Sequence, residues 1–243
     1  MESKKYKTEK FKVESSKLGM RYALIILVLF GNMSFAQVPD GFESLFNSKN
    51  LKGWHVSRST HQGTTPNFHV EEGAIVASQQ PYGQGGLLMT NQLFRDFELY
   101  LEIKIDSFAN GGIFLRSNEG GSAYQVELVL PGGTGDLVGE RIPVSVPAIA
   151  KDRDNVWKAG DWNSFRIRMT GKIPHITLWI NGVEMWDVVQ TKNDFIGGAT
   201  EGMIALQCHW TAVYSPAASK GMPLSSWRPG ASHRYRNIAI KKL

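Results

Sequence analysis

Three short segments in the second half of the chain carry chemically capable groups at strand spacing: NGGIFLRS (110–117), AYQVELVL (123–130) and GMIALQCHW (202–210). Successive side chains of a strand point to opposite faces. Gln125 and Glu127 therefore share one face, opposite Tyr124, Val126 and Leu128, and Gln207 and His209 lie together, opposite Leu206 and Cys208. The same alternation puts Phe114 with Arg116, opposite Ile113 and Leu115. An Arg, a Glu, a His and two Gln repeated in this way read as the polar lining of a cleft on a sheet, because a sheet packed on a core needs only one apolar face. His209 titrates near neutrality and suits proton transfer. Glu127 is the alternative base, and Arg116 or a bound divalent cation is the natural partner of a developing oxyanion.

Each of these residues also has a simpler reading. Arg116 and Glu127 on neighbouring strands make a cross-strand ion pair just as well. Asn110 suits a turn set by Gly111 and Gly112, or a ligand contact. Gln125 and Gln207 suit hydrogen bonds to a ligand, or simple solvent exposure. Trp179, Trp210 and Trp227 suit stacking on a ligand or packing, and Trp54 and Trp162 are assigned to packing. His55, His61, His69, His175 and His233 show no metal-ligand spacing. The single cysteine, Cys208, excludes an intramolecular disulfide and falls on the apolar face.

The elements that must position these groups are strands. Phe68–Ser78 reads as a hairpin turning on Glu72-Gly73, and in Phe97–Ile105 Leu99, Leu101, Ile103 and Ile105 alternate with Glu98, Tyr100, Glu102 and Lys104. Further strands are expected at Gly85–Thr90, Phe165–Met169, Ile176–Ile180, 184–189, 202–209 and 234–241, with Asn181-Gly182 as a hairpin turn. No segment sustains helical periodicity, so the pattern predicts an all-β sandwich. Residues 131–162 and 210–232, rich in Gly and Pro, resist strand assignment and read as long loops.

Of 243 residues, 42% are hydrophobic and 20% charged, an ordinary globular composition. The net charge of +5 is concentrated at the start: residues 1–36 hold seven Lys/Arg against three acids, +4, which leaves about +1 for the rest. That balance gives no support to nucleic-acid binding. Arg21, the apolar run Tyr22–Phe30 and the small-residue site Ser34-Phe35-Ala36 before Gln37 form the parts of a signal peptide. The run is shorter than the roughly 20 residues of a membrane span, although a membrane anchor is the alternative. Met20 is an alternative start, with 1–19 as an upstream extension. The expected organisation is a leader over 1–36 and one domain over 37–243, periplasmic or secreted, with no membrane span after signal removal.

The segments FESLFNSKNLKGW (42–54), DFELYLEIKI (96–105), NGGIFLRS, YQVEL, DWNSFRI (161–167), WINGVEM (179–185), GMIALQCH and YRNIAIKKL (235–243) resemble, in this order, the 3-keto-disaccharide hydrolase domain family. The resemblance spans the chain after the leader. It implies a concanavalin-like jelly-roll β-sandwich of two antiparallel sheets, one concave. It also implies an exported protein that cleaves glycosides oxidised to a ketone at C3, with an oxidised disaccharide or glycoside as its partner. On that footing His209, Glu127 and Arg116 are the candidate catalytic residues, and Gln125, Gln207, Asn110, Trp210 and Trp179 the candidate substrate contacts. The chain departs from the family pattern in four places. Asn110-Gly111-Gly112 stands where Asn-Ser-Gly is usual, Gln125 and Glu127 have exchanged places, Leu130 replaces a common acid, and the 210–232 loop is long. The paired carboxylates of conventional glycosidases are not evident, and the rival reading is a non-catalytic carbohydrate-binding module.

Overall fold

Alternating apolar residues build two antiparallel sheets that bury their facing sides against each other. The structure, a computed structural model, describes residues 38–211 and 227–243. The leader expected over 1–36 and most of the 210–232 loop fall outside them. In chain order the strands are β1 (Glu43–Ser44), β2 (Trp54–Val56), β3 (Asn67–Glu71), β4 (Ala74–Ser78), β5 (Gly86–Thr90), β6 (Phe97–Ile105), β7 (Asn110–Ser117) and β8 (Ala123–Val129). They continue with β9 (Leu137–Glu140), β10 (Asn163–Thr170), β11 (His175–Ile180), β12 (Val183–Val189), β13 (Met203–Cys208) and β14 (Ser232–Lys242). One sheet runs β12-β11-β10-β6-β14-β4-β3 with β1 beside β14, and the other runs β2-β5-β13-β7-β8-β9. The fold is an all-β sandwich, as expected. Among the described residues no helix is long and apolar enough to cross a membrane.

The turns follow from their residues. Glu72-Gly73 (φ 49°, 76°) and Asn181-Gly182 (φ 52°, 83°) take the left-handed backbone that two-residue hairpins require, joining β3 to β4 and β11 to β12. The core between the sheets holds Leu99, Leu101, Ile103 and Ile105 of β6 against Ile113, Leu115, Val126, Leu128 and Leu206. The outward set on β6 is half-buried except Glu102, which Tyr100 and Arg236 cover with hydrogen bonds of 3.1 and 2.6 Å.

The 131–162 segment is more ordered than its composition suggests. Residues 137–140 form β9 at the sheet edge, with Leu137 in the core, and a single helical turn, α1 (Arg153–Val156), follows. A four-residue strand whose third residue is glycine leaves too little periodicity to read.

Candidate active site

The outer face of the six-stranded sheet is assembled row by row from the pairing register. Gln207 of β13 lies opposite Gly112 of β7, and Gly112 opposite Glu127 of β8. The adjacent row is Ala205, Phe114, Gln125 and Val138. With strands roughly 4.8 Å apart, Gln207 and Glu127 stand about 10 Å apart, backbone to backbone, and Gly112 contributes no side chain between them. Gln125 uses that gap. Its Cδ and Cγ lie 2.7 Å from where a Cβ on Gly112 would sit, and its Nε2 donates to Gln207 Oε1 at 3.2 Å. Gln207 is fully buried, and its Nε2 has no partner among the described residues. Two N–H donors are thus held in place and left unsatisfied, an arrangement that normally has a functional reason.

Glu127 is the most perturbed acid on this face. Burial, reinforced by the charge of Asp136, pushes its carboxyl up from 4.5 to about 7. The two carboxylates meet around Gly133: a Cβ there would lie 2.8 Å from Asp136 Oδ2 and 2.9 Å from Glu127 Oε2. Asp136 is fixed in turn by the Ala150 N–H, which donates to its Oδ1 at 2.8 Å. Arg153 braces the same loop by donating to the Gly132 carbonyl. Leu130 fills the position where the family commonly has an acid, and Asp136 brings a second carboxylate from the loop instead.

His209 follows β13, with its N–H donating to the Asn110 carbonyl at 3.1 Å. Its Nδ1 lies 2.6 Å from the Trp210 carbonyl. A carbonyl only accepts, so Nδ1 carries the proton and the neutral ring presents Nε2 as an acceptor. Burial lowers its pKa, with the Trp210 carbonyl opposing. Trp210 stacks on the imidazole at 5.9 Å between ring centres and is 39% exposed.

The loop between β2 and β3 adds groups that sequence reasoning missed. His61 Nε2 lies 3.0 Å from Glu140 and 3.0 Å from the Gln62 amide. Its pKa is lowered by burial first, then by Arg141 and His209, while burial raises that of Glu140. No motif surrounds His61. Only the fold of its loop over the sheet brings it near His209. Burial on this face thus raises the acids and lowers the imidazoles, so that a carboxyl can hold a proton while a neighbouring imidazole stays neutral and free to accept one, the division of roles general acid–base chemistry requires.

The rest of the outer face is apolar. Leu87, Met89, Phe114, Ala123, Met203 and Ala205 form a second buried cluster, and every residue of β7 and β8 is buried. The polar lining therefore occupies part of this face only. Among the described residues no group of three or more His, Cys, Asp or Glu is placed to hold a metal ion.

Two expected site residues lie elsewhere. Arg116 does not share the Phe114 face. Ala205 pairs with Phe114 and Met203 with Ser117, so β7 inserts one extra residue there, and Arg116 takes a left-handed backbone (φ 52°). A bulge of this kind re-aims the side chain. The guanidinium, fully buried, donates to the Arg95 and Gly171 carbonyls at 2.6 and 3.0 Å and pairs with Asp96 at 3.1 Å. Burial lowers its pKa to about 10 against the opposing pull of Asp96, which leaves it cationic at neutral pH. It ties β7 to the ends of β6 and β10 and makes no ion pair with Glu127. Trp179 belongs to the other sheet: on β11, opposite Arg166 and Glu184, it faces away from the core. Trp227 and Cys208 are core residues. Asn110 opens β7 on the same face as Gly112.

Among solved structures, the fold is similar to a candidate glycosyl hydrolase from Parabacteroides distasonis, with a TM-score of 0.54, 19% identity, and coverage of 84% of this chain and 94% of that one. It is similar also to a carbohydrate-binding module from Bacillus subtilis (TM-score 0.51, 11% identity, 78% and 96% covered). A Bacillus subtilis protein with a galectin-like fold matches at a TM-score of 0.52 with 10% identity, 79% and 90% covered. At these identities the likeness establishes the fold. No curated protein matches the chain in sequence. Residues 41–241 match the 3-keto-alpha-glucoside-1,2-lyase-like domain family, and the chain belongs to it.

Proposed function

We propose that this chain cleaves 3-keto-glycosides by elimination across C1–C2, followed by hydration, on the outer face of the six-stranded sheet. The observation that carries the reading is the row Gln207–Gly112–Glu127: an unpartnered buried amide facing a carboxyl that holds its proton near neutrality. A ketone at C3 acidifies the C2 proton. His209 Nε2 removes that proton, and the electron pair forms an enolate whose C3 oxygen accepts from Gln207 Nε2, a donor held in place before charge develops. Collapse of the enolate restores the C3 carbonyl, forms the C1–C2 double bond and breaks the C1–O bond, while protonated Glu127 delivers its proton to the leaving oxygen. Water then adds its hydroxyl to C1 and a proton returns to C2, releasing the free 3-keto sugar.

Gln207 takes the oxyanion role that the sequence suggested for Arg116. The family membership supports a carbohydrate substrate, and the pairing of a protonated Glu127 with a neutral His209 supports turnover over simple binding. Incubation with a 3-keto-disaccharide and with the same unoxidised disaccharide tests the reading. Products should form only from the oxidised sugar, because without the ketone the C2 proton is not acidic. Comparable rates on both would exclude elimination. Binding without turnover would favour the non-catalytic carbohydrate-binding module.

A further inference from the structure

The outer face of the eight-stranded sheet, on the far side of the sandwich from Glu127 and His209, carries a second constellation that the reaction does not use. Trp179, Arg166 and Tyr100 form one cross-strand row over β11, β10 and β6. The Arg166 guanidinium lies over the Trp179 ring at 4.0 Å, and that of Arg168 lies 5.5 Å from the ring centre. Beside them opens a cavity of about 280 Å³, walled on its apolar side by Pro39 and Phe42 and on its polar side by Tyr100, Ser164 and Arg166. Gly182 completes the rim, and a Cβ there would meet nothing within 4 Å, so the mouth stays open.

The charges decide what this cavity suits. Arg236 is neutralised by Glu102 at 2.6 Å, and Arg234 lies 3.8 Å from Glu71. Neither Arg166 nor Arg168 has a carboxylate within 4.0 Å among the described residues, although Glu98 stands opposite Arg168 and Glu184 opposite Trp179 in register, and the charge of Arg168 reaches Asp187. A guanidinium held over an indole face keeps its N–H fork available for a two-point contact with an oxyanion. Stacking and charge therefore act together at Arg166, beside hydroxyl groups and an apolar wall of monosaccharide dimensions.

The geometry points to a second ligand site here, for a sugar unit bearing an anionic group, with Arg166 gripping the anion and Phe42 and Tyr100 flanking the ring. Carboxylate and sulfate esters share the chemistry this fork recognises. The site would let the protein hold an acidic glycan while the opposite face works, and it does not depend on the reaction proposed above.

Affinity electrophoresis of the whole protein in gels containing polygalacturonate, dextran sulfate or neutral dextran tests the assignment. At least one anionic polymer should retard the protein where neutral dextran does not, and which one does so identifies the anion. Arg166→Gln should weaken retardation about tenfold or more, whereas Lys49→Gln, the same charge change at an exposed lysine elsewhere, should not. Trp179→Leu, which removes the ring under the guanidinium without altering charge, should weaken it as well, and melting temperatures of the variants confirm that each is folded. Retardation by none of the polymers, equal retardation in neutral dextran, or equal effects of Arg166→Gln and Lys49→Gln would overturn the assignment.

Discussion

Glu127→Gln separates the proton held at this position from the space it fills. Glutamine keeps the shape and removes the charge. Lifting a carboxyl from 4.5 to about 7 corresponds to roughly 3 kcal/mol at ~1.36 kcal/mol per pH unit, and access of solvent at the rim reduces this to about 2. The sign is fixed by linkage. The folded carboxyl binds its proton more tightly than the unfolded one, so its contribution is fully present below pH 4.5 and is lost as pH rises through about 7. Wild-type protein should therefore lose about 2 kcal/mol relative to Glu127→Gln between pH 4.5 and pH 8.5, a difference of roughly 4–8 °C in relative melting temperature for a domain of this size. Thermal unfolding of both proteins across that range measures it directly. Turnover gives the second half. An alcohol leaving group needs the proton, so its release should slow by about 10²–10⁴-fold in the variant, whereas a 3-keto nitrophenyl glycoside, whose leaving group departs as the anion, should react nearly as fast as with wild type. Parallel stability curves would refute the proton held at Glu127. Equal slowing with both leaving groups would refute its use as the acid.

His209→Asn should stay folded, since asparagine still donates to the Trp210 carbonyl, yet lose turnover about 10²–10⁴-fold. Normal activity in a stable variant would pass the base role to another group on the face. Because neutral His209 is the active form and burial holds its pKa below 6.5, the acidic limb of the wild-type rate profile should lie below 6.5, with a separate alkaline limb near 7 where Glu127 loses its proton. An acidic limb lying above 6.5 would contradict the assignment of His209. Arg116→Ala strands the Arg95 and Gly171 carbonyls and Asp96, and should cost about 3 kcal/mol in urea unfolding with near-normal kcat in the folded fraction. A stable variant with lost activity would return Arg116 to the chemistry. Export is expected to leave a mature chain beginning at Gln37, so native protein that still starts at Met1 or Met20 on N-terminal sequencing would refute the leader.

Strands with strict alternation were legible because burial on one face forces a period of two. β6 and β8 follow it, and so do the faces of Gln125, Glu127 and Gln207. The period failed at Arg116, where one inserted residue reverses every later side chain on the strand. A bulge has no composition of its own: Arg116 in a left-handed backbone looks, in sequence, like any strand residue. Trp179 failed for a different reason. Its own strand was read as such, but which of two sheets a strand joins depends on pairing between distant segments, and no local pattern encodes it. His61, Glu140 and Asp136 were invisible because loops, not strands, place them.

The departures from the family pattern make physical sense once the rows are assembled. A Cβ on Gly111 would lie 2.6 Å from the Gln207 carbonyl and 2.6 Å from Nδ1 of the buried His233, so the serine usual at this position has no room here. A Cβ on Gly112 would displace the Gln125 side chain that orients Gln207. Gln125 at its position, with Glu127 two residues on, puts the amide where it reaches across glycine to its partner. It also puts the carboxyl against Gly133 and Asp136, whose negative charge helps to raise it. Exchanging the two residues would move the carboxylate about 7 Å along the strand, away from Asp136, and leave the Gln207 Oε1 without the Gln125 N–H donor that aims its free amide. The two glycines, the order of Gln125 and Glu127, and the loop acid at Asp136 thus form one interdependent arrangement, in which each departure is accommodated by another.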